Sequence, residues 1–177
     1  TQIVNLKEGK VANDLLTVKD VTPAEDVWVV MNAHGNIGKI TSDKPPRVSG
    51  KNAPVFLLRT DSHQTLYLVN KFGQAAAVSV QSVPNMEEAG AGVSFEKISP
   101  LRESGMPVAV FTLPSESKQK GLCLVTITRQ GLIKKSMVSE LKGPSSDLFT
   151  LVKVNDDDEL VEVNLFDDKS DYLVASR

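Results

Sequence analysis

Three stretches of this chain coincide when they are aligned on a glycine. They are VWVVMNAHGNIGKI (27–40), LYLVNKFGQAAAV (66–78) and LCLVTITRQGLIKK (122–135), matched at Gly35, Gly73 and Gly131. Four residues before each glycine stands an apolar residue: Met31, Val69 and Ile127. Three before it stands a small polar one: Asn32, Asn70 and Thr128. Four after it stand Lys39, Ala77 and Lys135. A fourth copy starts at DYLVASR (171–177) and stops where its glycine would come next. Each copy follows a strand-like run and a polar or acidic turn, in LLTVKDVTPAED, VFLLRTDSHQ, VAVFTLPSESKQK and LVEVNLFDDKSD. The glycines are 38 and 58 residues apart, a mean of 48, and blade-forming repeats run to roughly 40–50 residues. A tight hairpin turn needs a residue at positive φ, which glycine supplies without a steric penalty.

Outside these copies the pattern is the same. Short apolar runs at Val27–Met31, Val55–Arg59, Leu66–Val69, Val108–Leu113, Leu122–Thr128, Leu148–Val154 and Leu160–Leu165 alternate with turn clusters. Helical spacing is nearly absent; Ile3–Leu16 carries some of it but also reads as strand, loop, strand. Strands so short and regular predict a sandwich, barrel or propeller, and the repeat selects consecutive four-stranded blades. One repeat domain over 1–177 is expected, with approximate units 1–44, 45–90, 91–142 and 143–177, the last incomplete. Cys123, Leu124, Val29, Leu68 and Val110 are expected inside the blades.

With 177 residues and 41% hydrophobic content, the chain can bury a real core. No apolar run approaches the roughly 18 residues that span a membrane, and the start shows no signal peptide. The missing initiator Met reads as a fragment. The single Cys123 excludes an internal disulfide and suits a reducing compartment. Net charge is −2, unevenly spread. Residues 34–142 hold 14 Lys and Arg against 8 Asp and Glu, whereas 143–177 hold 3 against 9. A basic middle is a weak sign of polyanion binding, and a random scatter of solvated charge explains it equally well.

The strand–turn–strand units, in which Val-Thr-x-x-Gly is followed by one or two Lys or Arg, resemble the C-terminal domain found in the A subunits of bacterial DNA gyrase and topoisomerase IV. VNDDDELVEV (154–163) is similar to that family's recurrent Gly-Asp-Glu-apolar segment. NMEEAGAGVSFEKI (85–98) stands where the family has a basic Gly-rich loop. The resemblance covers nearly the whole chain, about three and a half blades. It implies an all-β β-pinwheel, a propeller whose neighbouring blades share strands and whose basic rim bends duplex DNA by phosphate contacts. It further implies a cytoplasmic, nucleoid-associated accessory domain that is no enzyme by itself and carries no cofactor. Its partners would be the topoisomerase B subunit, together with the catalytic core of the same A subunit. The family's basic wrapping box has no match beyond Gln119-Lys120-Gly121, Ala75–Ala77 stand where basic residues are expected, and Glu87 and Glu88 replace arginines. Weaker wrapping is therefore expected.

The residues expected to touch DNA are Lys39, Lys44, Arg47, Lys51, Lys71, Arg129, Lys134, Lys135 and Lys142, arranged as one basic rim. The acidic segment 155–171 is expected to lie off its path. The ordinary alternative for Lys134 and Lys135 is a pair of edge lysines that deter strand aggregation; for SDKPPRVSGK (42–51) it is a solvated linker. His34 and His63 are expected to be plain turn residues, and Asp156–Glu159 a solvated turn without the glycine and distal Glu of a calcium loop. No metal site, P-loop, nucleophile elbow or catalytic residue is found. Tyr67 and Tyr172 are strand residues; the family's catalytic tyrosine lies in another domain. The competing function is a propeller that binds protein through an apolar end face.

Overall fold

A computed structural model describes residues 23–47, 49–50, 53–87, 91–102, 105–114, 119–167 and 169. Lys51, Glu88, Tyr172 and the expected strands in 1–22 and 171–177 lie outside the described residues. Eleven strands follow one another: β1 (Asp26–Asn32), β2 (Asn36–Ile40), β3 (Pro54–Asp61), β4 (Thr65–Val69), β5 (Gln74–Ser79), β6 (Val93–Ser94), β7 (Ala109–Thr112), β8 (Leu122–Thr128), β9 (Ile133–Met137), β10 (Phe149–Thr150) and β11 (Leu160–Asp167). The helical elements among the described residues are single 3₁₀ turns such as Val80–Ser82 and Val138–Glu140.

Antiparallel pairing groups the strands as β3-β1-β2-β6, β10-β5-β4-β7 and β11-β8-β9. Each sheet is built on one repeated hairpin. The strand that leads into a hairpin pairs elsewhere: β3 runs straight into β4 but lies against β1, with Val29 opposite Leu58. In the same way β7 precedes β8 but lies against β4, with Leu68 opposite Val110. This is the strand sharing of a β-pinwheel. The fourth strands come from further on still, β6 from after the second hairpin and β10 from after the third. The sheets therefore interleave along the chain and draw strands from both sides of the sequence borders at 44/45, 90/91 and 142/143.

The middle sheet has both faces covered. On β4, Leu66 and Leu68 join one apolar cluster with Val29, Met31 and Val110; Tyr67 and Val69 join another with Leu124, Phe149 and Leu160. Alternation puts successive side chains on opposite faces, so a strand packed on both sides reads as a continuous apolar run. The same sandwiching explains Ala75–Ala77. All three are buried, with Ala76 in one cluster and Ala75 and Ala77 in the other. They are packing residues and not gaps in a basic rim. Cys123, Leu124, Val29, Leu68 and Val110 are all buried as expected.

The glycine turns are equivalent. Gly35, Gly73 and Gly131 have φ of 77°, 77° and 85°. Their N–H groups donate to the carbonyls of Asn32, Asn70 and Thr128 at 3.0, 3.1 and 3.0 Å. The polar residue three positions earlier closes the loop. Asn32 Oδ1 accepts from His34 and Asn36, Asn70 Oδ1 from Phe72 and Gln74, and Thr128 Oγ1 from Leu132. One expected strand is shorter than the sequence suggests: of Leu148–Val154, β10 keeps only Phe149–Thr150. The amides of Leu151 and Val152 turn to the Gly73 carbonyl at 2.9 and 3.2 Å, which takes the chain out of the ladder.

The surroundings of the three glycines differ. A Cβ on Gly73 would stand 2.1 Å from the Val152 carbonyl oxygen, whereas one on Gly131 would meet nothing within 4 Å. Gly131→Ala should therefore cost only the left-handed strain, about 1–2 kcal/mol. Gly73→Ala should cost clearly more, because backbone must also move. Urea unfolding of the two variants checks the order; equal losses would remove the tight seat at Gly73.

Candidate nucleic-acid interface

The nine cations singled out in the sequence do not form one set. Lys39 is half-buried, and its Nζ donates to the carbonyls of Gln81 at 2.7 Å and Val80 at 3.3 Å. Burial lowers its pKa, with Glu25 opposing the shift. Its ammonium thus caps the carbonyls of the 3₁₀ turn behind β5, and the side chain is committed to the fold. The basic residue that recurs four positions after the glycine is structural here, and its counterpart Ala77 is buried.

Lys71 and Arg129 stand in the second and third glycine turns, and one carboxylate holds both. Glu159 Oε1 lies 2.6 Å from Lys71 Nζ, and Oε2 lies 2.8 Å from Arg129. The backbone draws the same partners together, since Leu160 N donates to Lys71 O at 2.8 Å and Arg129 N to Glu159 O at 2.7 Å. The acidic segment therefore does not lie apart from the cations: Glu159 clasps two of them across neighbouring sheets. The turn is also not wholly solvated. Asp158 is buried, and its Oδ1 accepts from Gln130 N at 3.0 Å and Glu159 N at 2.8 Å. Burial pushes its pKa up, but hydrogen bonds from the Thr128 hydroxyl and from backbone amides outweigh this and leave it lowered. The signal available in the sequence was topological: an acid just before a strand that pairs with β8 lands beside the turn that ends β8.

The remaining candidates are more open. Lys44 and Arg47 are exposed in the loop after β2. Lys134 and Lys135 are exposed on β9, opposite Thr126 and Val125. Lys142 has its Nζ 6.0 Å from the Phe149 ring centroid, while its carbonyl accepts the Tyr67 hydroxyl at 2.9 Å. Lys153, not singled out beforehand, is exposed and shares with Lys134 a cleft of about 490 Å³ lined by Thr126, Thr128, Leu132, Ile133 and Thr150–Val152. His34 and His63 occupy turns.

Glu159 is held below the ordinary carboxylate pKa, first by the hydrogen bond from Lys71 and then by the Arg129 charge, with burial opposing. A lowered carboxylate contributes stability above its unfolded pKa and loses it as pH falls through the folded value. The Tm difference between wild type and Glu159→Gln should be full near neutral pH and close as pH falls through the lowered folded value. It should also shrink with added salt, because Lys71 and Arg129 are partly exposed. A difference that persists in acid would mean the pair is held by packing instead of charge.

No protein-family model matches the chain. It is 24% identical over 183 aligned positions to the DNA gyrase A subunit of Haemophilus influenzae, covering 97% of this chain and 21% of the relative. It is 23% identical over 173 positions to the DNA gyrase A subunit of Salmonella typhimurium, covering 91% of this chain and 20% of the relative. The chain thus spans about a fifth of the length of these relatives. Among solved structures, the C-terminal domain of DNA topoisomerase IV superposes with a TM-score of 0.69 at 18% identity, covering 82% of this chain and 47% of that one. The E. coli ParC C-terminal domain superposes at 0.65 and 14% identity, covering 80% and 56%. These likenesses establish the β-pinwheel fold.

Proposed function

We propose that this chain, homologous over nearly its whole length to part of the DNA gyrase A subunit, is a DNA-binding and DNA-bending module of a type IIA topoisomerase. The observation that carries the reading is the match across 97% of the chain. The module would hold a duplex segment for a separate catalytic core in the same polypeptide, working with a topoisomerase B subunit, and would supply no catalytic group or cofactor.

Binding would be to phosphates, so affinity is sequence-tolerant and falls steeply with salt as counterions are released. The exposed cations outside the glycine turns are the best suited to this: Lys44 and Arg47 in the loop after β2, and Lys134 and Lys135 on β9. Lys71 and Arg129 share one carboxylate, so together they offer a single net charge, and phosphate must compete with Glu159 for it. With a net charge of −2 and Lys39 withdrawn, binding rests on local clusters and not on a uniformly basic molecule.

Binding to linear duplex DNA should be followed across a salt series. Lys134→Ala with Lys135→Ala should reduce the salt slope by about 0.9 for each phosphate that is no longer neutralised, as should Lys44→Ala with Arg47→Ala. Lys39→Ala should leave the slope unchanged and lower thermal stability instead. If neither double variant changes slope or affinity while the fold is intact, these residues do not hold DNA.

A further inference from the structure

We infer, resting on the DNA-binding reading, that Glu159 is a displaceable latch on a preformed phosphate seat, which Lys71 and Arg129 make between the second and third sheets. Lys71 stands in the glycine turn between β4 and β5, and Arg129 in the one between β8 and β9. Glu159 gives one carboxylate oxygen to each, Oε1 to Lys71 Nζ at 2.6 Å and Oε2 to Arg129 Nη2 at 2.8 Å. A DNA phosphate carries the same equipment: one negative charge shared by two oxygens, each able to accept from an ammonium or a guanidinium group. The resident carboxylate therefore fills the seat with a group of the same kind as the proposed ligand.

The seat does not depend on its latch. Lys71 O accepts from Leu160 N at 2.8 Å, and Glu159 O accepts from Arg129 N at 2.7 Å. The backbone at the start of β11 thus sets the two turns side by side, whatever the Glu159 side chain does. The buried Asp158 takes Gln130 N and Glu159 N on its Oδ1 at 3.0 and 2.8 Å and fixes the same segment. Lys71 Nζ has a second neighbour, the Phe72 ring, whose centroid lies 5.2 Å away. A cation over a ring face is attracted to it, which favours the same ammonium position once the carboxylate has left.

The approach is open. Side-chain exposure is 43% for Lys71 and 71% for Arg129 but 29% for Glu159, so both cations reach further into solvent than the acid between them. A phosphate can meet them before Glu159 departs, and the exchange need not pass through a bare pair of like charges. The Arg59–Asp26 pair differs, since it joins β1 and β3 within one sheet. At Glu159 the bridge spans two sheets, and DNA binding would pass that bridge from a side chain of the protein to the backbone of the duplex. The contact between the sheets is kept while its anion is exchanged. A latched seat also discriminates: an anion that offers no further contacts must displace Glu159 unaided.

The test uses the 177-residue chain and linear duplex DNA across a salt series. Glu159→Gln should bind about two- to fivefold tighter, the range of an exposed ion pair, and should steepen the salt slope by about 0.9, one further phosphate neutralised. Asp156→Asn makes the same charge change on an exposed acid of the same segment, and should give a smaller gain with the slope unchanged. Adding Lys71→Ala and Arg129→Ala to Glu159→Gln should abolish the gain. Saturating duplex should also narrow the Tm gap between wild type and Glu159→Gln, because the tighter complex is stabilised more. DNA binding that Glu159→Gln alters no more than Asp156→Asn does, or a gain that survives loss of both cations, would overturn the latch and leave the DNA-binding reading standing. A wild-type chain without salt-dependent DNA binding would overturn both.

Discussion

The carbonyl of a left-handed glycine is the joint on which this architecture turns. Positive φ at Gly35 and Gly73 folds each hairpin tightly and leaves the glycine carbonyl pointing away from it. That carbonyl then takes an amide from a segment about sixty or more residues later. A side chain at Gly73 would occupy the place of the incoming backbone. One residue type therefore meets two demands, a local conformation and a distant approach, and a unit cannot complete its sheet until a later unit is in place. Strand sharing by β3 and β7 makes the same point from the other edge. Each sheet depends on its neighbours, as expected of an array whose stability is largely a nearest-neighbour sum.

The same dependence governs where charge can appear. Once a sheet is closed on its edge and covered on both faces, the residues after the glycine have little open surface left. The second unit fills them with Ala75–Ala77; the first places Gly38 and Lys39 there, and the lysine spends its ammonium on the carbonyls of Val80 and Gln81. Charge in the turns is regulated differently. Lys71 and Arg129 could reach outward, yet Glu159 joins them across the junction of two sheets. Exposed ion pairs contribute little each. This one is shared, partly shielded and braced by two backbone hydrogen bonds, which favours a role in registering neighbouring units.

The strand pattern and the turn glycines were legible in the sequence because both are local. Leu122–Thr128 is β8 residue for residue, and the polar residue three before each glycine closes its turn as the alignment implies. Partner choice was not legible. Nothing within Val55–Arg59 says that it lies against β1 instead of the strand it leads into. Burial of Ala75–Ala77 and withdrawal of Lys39 follow from that pairing, so counting cations along the repeat overstated the basic rim. Likewise, Asp156–Glu159 reads as a solvated turn until β11 is known to pair with β8, which sets Glu159 beside two cations. Recurrence revealed the unit, while the packing between units decided what each copy of a residue does.

Lys134 and Lys135 occupy the positions that Gly38 and Lys39 hold in the first sheet and Ala76 and Ala77 hold in the second. They are exposed where Gly38, Ala76 and Ala77 are buried and Lys39 is half-buried, and for the alanines the cover is the packing of both faces of the middle sheet. An ammonium that turns inward, as that of Lys39 does, is spent on backbone carbonyls; one that stays exposed keeps its charge at the surface. The same place in the repeat thus holds a committed cation in the first sheet, packed alanines in the second and exposed lysines in the third, and the cover over each copy decides what it can do.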